Sequence, residues 1–303
     1  MREIDGCAAS SDLVTQPFLS MRLGFHVSIA GGFKNVVRRA RERQSETIQL
    51  FSRNPRAWKH GPLIEADIAI FRKEIAEHDI WPIFVHTPYL LNLASAKKDL
   101  FHKSLNALIG DLERSATLCA SFLIMHVGSA INVEKGIEQM SLGINTAFQS
   151  VQNEVKLLLE NTAGSGHELG HSFSQLRMII DRVEQRARIG IVLDTAHAFA
   201  AGYDLRTQGA VDQSIADFDR TIGLEELHLV HLNDSKTDLG SRSDRHWHIF
   251  QGKIGQGMFH ILHHHALKDL PFIMETPRTN LKEDLMNMTM VRQLLAQQDE
   301  TAR

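Results

Sequence analysis

The chain has 303 residues, 43% of them hydrophobic and 23% charged, which excludes long disorder and suits one α/β barrel of about 250 residues with extensions. A formal net charge of −3 excludes a bulk polycation, so a nucleic-acid partner has to be met by a local basic patch. Two cysteines, Cys7 and Cys119, exclude a disulfide framework and a cysteine-rich zinc site, whereas 17 histidines direct attention to histidine and carboxylate ligands.

Residues 1–20 are polar and lack both a clear period and the basic start with an apolar core that marks a secretory signal. They are expected to form a disordered tail, Met21 stands as an alternative start, and the cytoplasm is the expected location. Short apolar runs then recur at 22–27 (RLGFHV), 47–51 (TIQLF), 82–86 (PIFVH), 121–126 (SFLIMH), 155–160 (VKLLLE), 189–194 (IGIVLD), 227–232 (LHLVHL) and 271–275 (PFIME). Each is rich in Ile, Val, Leu or Phe, as strands buried on both faces are. Amphipathic stretches at 64–78, 98–119, 133–153 and 282–297 carry apolar residues at helical spacing. The alternation predicts an α/β fold, a single (β/α)8 TIM barrel over 21–297, with a second tail at 298–303. A doubly wound open sheet is the alternative, and eight repeats of one unit favour closure. No apolar run approaches the roughly 18 residues that span a bilayer, so no membrane partner is expected.

The last residues of these runs carry the chemistry. Parallel strands of a barrel deliver their ends to one rim, where active sites lie. His86, His126, Glu160, Asp194, His231 and Glu275 all end, or nearly end, an apolar run. A lone strand-end histidine is usually a structural hydrogen bonder, but six convergent ligand types reverse that expectation, because buried polar groups need partners. His197 follows Asp194 by three residues, and Asp244 and His246 lie two apart in the long loop after the seventh run. Five histidines and four carboxylates suffice for three metals, with one carboxylate free to bridge two of them. An all-nitrogen and oxygen donor set points to catalytic Zn2+, with Mn2+ as a substitute. Three divalent ions would leave the site net positive against four carboxylates and attract an anionic substrate such as a phosphodiester.

Longer stretches then add a resemblance. GFHVSIAGG (24–32), LFSRNPRAW (50–58), HTPYLLNLAS (86–95), LLENTAGSG (158–166), LDTAHAFAAGYD (193–204), HLNDSK (231–236) and DRH (244–246) resemble, in order, the motifs of the endonuclease IV family of apurinic/apyrimidinic-site endonucleases. The resemblance implies a TIM barrel with three zinc ions that cuts DNA on the 5′ side of an abasic site. It would leave a 3′-hydroxyl and a 5′-deoxyribose phosphate, and would trim blocked 3′ ends. The family's ligands fall on the same nine residues. Glu160 would bridge two ions, one also held by His86 and His126 and the other by Asp194, His231 and Glu275. His197, Asp244 and His246 would hold the third, and the nucleophile would be a bridging hydroxide or water. Arg56, Tyr89 and Leu90 match the family's DNA-penetrating residues, so duplex DNA with abasic sites or blocked 3′ ends is the expected partner, bound by a monomer. Two departures stand out: Val127 where proline is usual, and Phe250–Gln251 where glycine and glutamate are common.

Basic residues cluster at Arg38, Arg39, Arg41, Arg43, Arg53, Arg56 and Lys59, and again at Lys236, Arg242, Arg245 and Lys253. Those in strand-end loops are placed to meet phosphates, whereas 38–43 reads equally as a solvated helix face. His248 is a candidate for ordering a ligand, and His263, His264 and His265 read as a solvated helix end. A sugar isomerase or epimerase on a similar barrel is the competing enzyme, and a damaged-DNA binder that does not cut is the competing binding protein.

Overall fold

The computed structural model describes residues 21–277 and 279–297, so the tails expected over 1–20 and 298–303 lie outside the described residues. Eight parallel strands close into a barrel. They are β1 (Arg22–His26), β2 (Thr47–Phe51), β3 (Ile83–His86), β4 (Phe122–His126), β5 (Lys156–Glu160), β6 (Ile189–Asp194), β7 (Leu227–His231) and β10 (Pro271–Met274). Their order around the cylinder is β1, β10, β7, β6, β5, β4, β3, β2. Each lies within two residues of its predicted run, and the open-sheet alternative is excluded by the pairing of β1 with both β2 and β10. Two further strands, β8 (Asp234–Ser235) and β9 (His246–Trp247), form a small antiparallel ribbon above the rim.

Between the strands lie α1 (Val36–Glu42), α2 (Glu65–Glu77), α3 (Lys98–Thr117), α4 (Val133–Ser150), α5 (Phe173–Ile180), α6 (Thr195–Ala201), α7 (Gln208–Thr221), α8 (Gly257–His263) and α9 (Leu281–Ala296). Side-chain caps start several of them: Asn132, Ser172, Asp194, Thr207 and Asn280 each accept a bond from a backbone N–H of the first turn. The larger core fills the space between strands and helices. A separate inner core of Phe84, Phe122, Ile124, Leu158, Val192, Leu229 and Ile273 fills the cylinder.

That inner core explains the rim. Side chains alternate along a strand, so the residue two beyond an inward-facing one also faces inward. Two residues beyond Phe84, Ile124, Leu158, Val192, Leu229 and Ile273 stand His86, His126, Glu160, Asp194, His231 and Glu275. The six strand-end groups are thus the next layer of the packed barrel interior, resting on an apolar floor.

Candidate metal centre

Six of the nine predicted ligands come from β3 to β7 and from Glu275 just after β10, so they occupy consecutive staves of the cylinder. Lateral register brings His126 beside Glu160 and Asp194 beside His231. The other three arrive from connections. Asp194 caps α6, its Oδ1 accepting from the His197 N–H at 2.8 Å, and this first turn swings the His197 ring over the rim. The β8–β9 ribbon pairs Ser235 with His246 and so folds the 244–246 loop back across the barrel mouth.

Eight of the nine side chains meet there, in three groups whose ligand atoms lie within 4.8 Å of one another: His86, His126 and Glu160; Glu160, Asp194, His231 and Glu275; and Asp194, His197 and His246. Asp244 completes the third cluster, with Oδ1 3.2 Å from His197 Nε2 and 3.5 Å from His246 Nε2. Glu160 stands between two groups and divides its oxygens. Oε2 lies 3.0 Å from His86 Nε2 and 3.6 Å from His126 Nε2, while Oε1 lies 2.9 Å from His231 Nδ1. Glu160 and Asp194 are fully buried, whereas about half of the Asp244 side chain and a third of that of His126 are exposed, which marks the open side.

Anchoring bonds select the nitrogen that each ring presents. His86, His197 and His246 direct Nδ1 to the backbone carbonyls of Thr87, Asn161 and Glu275, at 2.7, 2.9 and 3.1 Å, leaving Nε2 for the centre. Buried amides do the same for the carboxylates. Asn233 Nδ2 donates to Asp194 Oδ2 at 2.7 Å while its Oδ1 accepts from the Glu275 N–H, and Asn161 Oδ1 accepts from the Asp194 N–H. Gln49, on β2, bonds both His231 and Glu275. Sequence reasoning missed these three amides. The available signal was a polar residue, Gln49, inside the otherwise apolar run TIQLF.

Electrostatics fit a cation site. Burial alone would raise the Glu160 pKa, but the charges of His126 and His231 hold it well below the usual carboxylate range. Burial opposes a charge on His231, yet Glu160, Glu275 and Asp194 push its pKa up to about 9. The same contest raises His197 and His86, and Asp244 is lowered to about 2 against its own burial. Four carboxylates in a pocket floored by apolar side chains therefore draw in positive charge. The donors are all N or O, and their free atoms converge, as divalent zinc requires.

Of the predicted DNA-contacting residues, Tyr89 and Leu90 lie at the mouth. Tyr89 is 68% exposed and packs edge-on against Phe51, with ring centroids 5.5 Å apart. Tyr89 and Leu90 line a cleft of about 380 Å3 that also includes His126, Thr162 and Asp244. Arg56 is exposed in the β2–α2 loop.

Several other expectations need correction. Arg53 is not available to phosphates: it is 3% exposed and grips Asp111 with Nε and Nη2, at 2.9 and 3.0 Å. Its Nη1 also donates to the Ala57 and Trp58 carbonyls, so it braces the loop that carries Arg56. In the 38–43 group, Arg39 and Arg43 are tied into the fold, to the Ser28 carbonyl and to Asp284. His264 is no solvated end, since the chain turns inward after α8 and leaves it 5% exposed, 3.5 Å from Asp212. His248 faces Asn287 rather than a ligand.

Residues 37–296 match a family model described as "Xylose isomerase-like TIM barrel". A protein of Halothermothrix orenii named "Probable endonuclease 4" is 43% identical over 261 residues, 85% of this chain and 94% of its own length. The crystal structure of endonuclease IV from Thermus thermophilus superposes with a TM-score of 0.81 at 36% identity, over 90% of this chain and 98% of that one. A D-tagatose 3-epimerase-like structure reaches a TM-score of 0.67 at 16% identity over 90% of this chain and 97% of its own, a likeness of fold alone.

Proposed function

Because the chain belongs to the endonuclease IV family, we propose that it hydrolyses the phosphodiester 5′ to abasic sites in duplex DNA. The products would be a 3′-hydroxyl and a 5′-deoxyribose phosphate, and the same centre would trim blocked 3′ ends. The observation that carries this reading is the sharing of Glu160 between two ligand groups on one rim, with a third group across the mouth. An epimerase-like barrel alone would not call for His197, Asp244 and His246 beside exposed Tyr89 and Arg56.

His86, His126, Glu160, Asp194, His197, His231, Asp244, His246 and Glu275 would hold three zinc ions, or manganese in their place. When bound, such ions activate water and neutralise charge on a phosphate. The protein's own work is positioning. Thr87, Asn161, Glu275 and Asn233 orient ligands through the bonds described, and the apolar floor keeps water from approaching from below. Arg56, Tyr89 and Leu90 would enter the duplex and fill the gap left by the missing base. An abasic nucleotide loses little stacking when it is extruded, which favours it over an intact one. Among the described residues no helix is long and apolar enough to cross a membrane, and we place the activity in the cytoplasm, in a monomer.

The test is cleavage of a labelled duplex with one tetrahydrofuran abasic analogue by zinc-loaded protein. This analogue cannot undergo β-elimination, so a cut on its 5′ side ending in a 3′-hydroxyl is hydrolysis. Glu160→Ala should lower the rate by at least about a thousandfold, since it removes a ligand shared by two groups. Site-selective binding without cutting would overturn the hydrolytic reading in favour of a damage binder.

A further inference from the structure

We infer that Gln49 is a positioning residue whose amide fixes which ring nitrogen His231 presents and which oxygen Glu275 presents. The inference rests on the reading of the rim as a metal centre and adds a residue from β2, a strand that supplies none of the nine ligands.

Gln49 is fully buried and faces the barrel interior, where an amide is costly unless its bonds are made. Its Oε1 lies 2.7 Å from His231 Nε2. Its Nε2 lies 2.6 Å from Glu275 Oε1 and 2.9 Å from His26 Nδ1. The orientation of the amide follows from chemistry. A flipped amide would set its oxygen against the Glu275 carboxylate, two acceptors with no proton between them. With the NH2 group on Glu275, the oxygen faces His231 and can only accept, so a ring that gives up one proton to a cation keeps the one on Nε2. Nδ1 is then the free nitrogen, and it points at Glu160 Oε1 (2.9 Å), Glu275 Oε2 (3.4 Å) and Asp194 Oδ2 (3.8 Å). The same amide occupies Glu275 Oε1 and leaves Oε2 for the centre. One side chain thus orients two members of the central group.

His231 differs in this from His86, His197 and His246. Those rings anchor Nδ1 on backbone carbonyls, which no side-chain substitution removes, and present Nε2. His231 anchors Nε2 on a side chain and presents Nδ1. A single substitution at residue 49 can therefore release it.

The experiment uses the full chain as wild type, Gln49→Leu, of similar volume without polar atoms, and Gln49→Glu, which keeps the acceptor for His231 and loses the donor for Glu275. Zinc stoichiometry and affinity are read by chelator competition, and the His231 Nε2–H resonance is read by NMR of the 15N-histidine-labelled, zinc-loaded proteins. In wild type, three ions and a downfield, slowly exchanging His231 Nε2–H are expected. In Gln49→Leu, one ion should bind roughly 10–100-fold more weakly while two keep their affinity, and the Nε2–H signal should move upfield or exchange into water. In Gln49→Glu the signal should stay downfield while the same ion still weakens. Wild-type zinc affinity with an unmoved signal in Gln49→Leu would overturn the inference, as would equal weakening of all three ions with that signal unmoved. Should Gln49→Leu not fold, an unweakened central ion in Gln49→Glu would overturn it. Absence of stoichiometric zinc from wild type would instead defeat the metal reading itself, and it is detected without any variant.

Discussion

Phe250 occupies a left-handed backbone conformation, with φ 68°, in the loop just past His246. A side chain there costs roughly 1–2 kcal/mol relative to glycine, because Cβ crowds the following carbonyl. The turn is held regardless, by Gln251 N–H to the His248 carbonyl and by Asp234, which accepts from the Gly252, Ile254 and Gly255 N–H groups. Phe250→Gly should therefore be at least as stable as the natural chain and about 1 kcal/mol more stable than Phe250→Ala in urea denaturation. The reverse order would mean that packing of the half-exposed ring governs the position. At this scale the side chains that converge on the rim were legible in the sequence and their supports were not. His86 or Glu160 announces itself as a polar end to an apolar run. Asn161 and Asn233 lie in loops where asparagine is common, and their value comes from partners 33 and 42 residues away, Asp194 and Glu275. A linear pattern carries no such pairing.

Among the elements, the β2–α2 connection depends on one buried ion pair. Arg53 and Asp111 are each at most 1% exposed in their side chains, and Ser52 Oγ adds a third bond to Asp111 at 2.7 Å. Asp111→Leu should cost about 3–5 kcal/mol in chemical denaturation, since it strands a buried guanidinium. The pair Arg53→Met with Asp111→Leu should recover much of that loss. Failure of the double variant to recover would show that the bonds from Arg53 to the Ala57 and Trp58 carbonyls, rather than the ion pair, hold the loop. Helices with a clear apolar stripe, such as α3 and α4, were legible to within a few residues. The short α6 was not, because Thr195 to Ala200 are all buried and a helix covered on every side has no polar face to mark its period.

At the scale of the molecule, the barrel interior is a stack of layers: a polar plug at the bottom, the apolar floor, then the candidate ligands. The plug is His228, an extra residue where the register between β6 and β7 shifts, with Lys156 Nζ 3.1 Å from its Nε2 and the Phe122 ring 5.6 Å away. Gly190 leaves room for its imidazole, since a Cβ there would meet the ring at 2.3 Å. Burial and the nearby Lys156 charge lower the His228 pKa to about 3. The ring is thus neutral in the fold but takes up a proton near pH 6.5 once unfolded. Its contribution is present above pH 6.5 and is lost progressively as pH falls from 6.5 toward 3. Between pH 7 and pH 5 the natural chain should lose about 1–2 kcal/mol that His228→Gln does not lose, measured as the difference in unfolding free energy. Equal losses in both proteins would remove His228 from the acid response. The closed architecture itself was legible from eight apolar runs. The bulge at His228 was not, because one residue more or less leaves an apolar run looking the same.

Closure of that cylinder also sets a timetable. β10 pairs with β1, joining the latest strand to be synthesised to the earliest, and Glu275 follows directly upon it. A chain still on the ribosome, or one ended by a premature stop before residue 271, lacks both the stave that shuts the cylinder and the last of the nine candidate ligands. One stretch, residues 271–275, thus both closes the cylinder and completes its rim, so a translation product that stops short of it has neither.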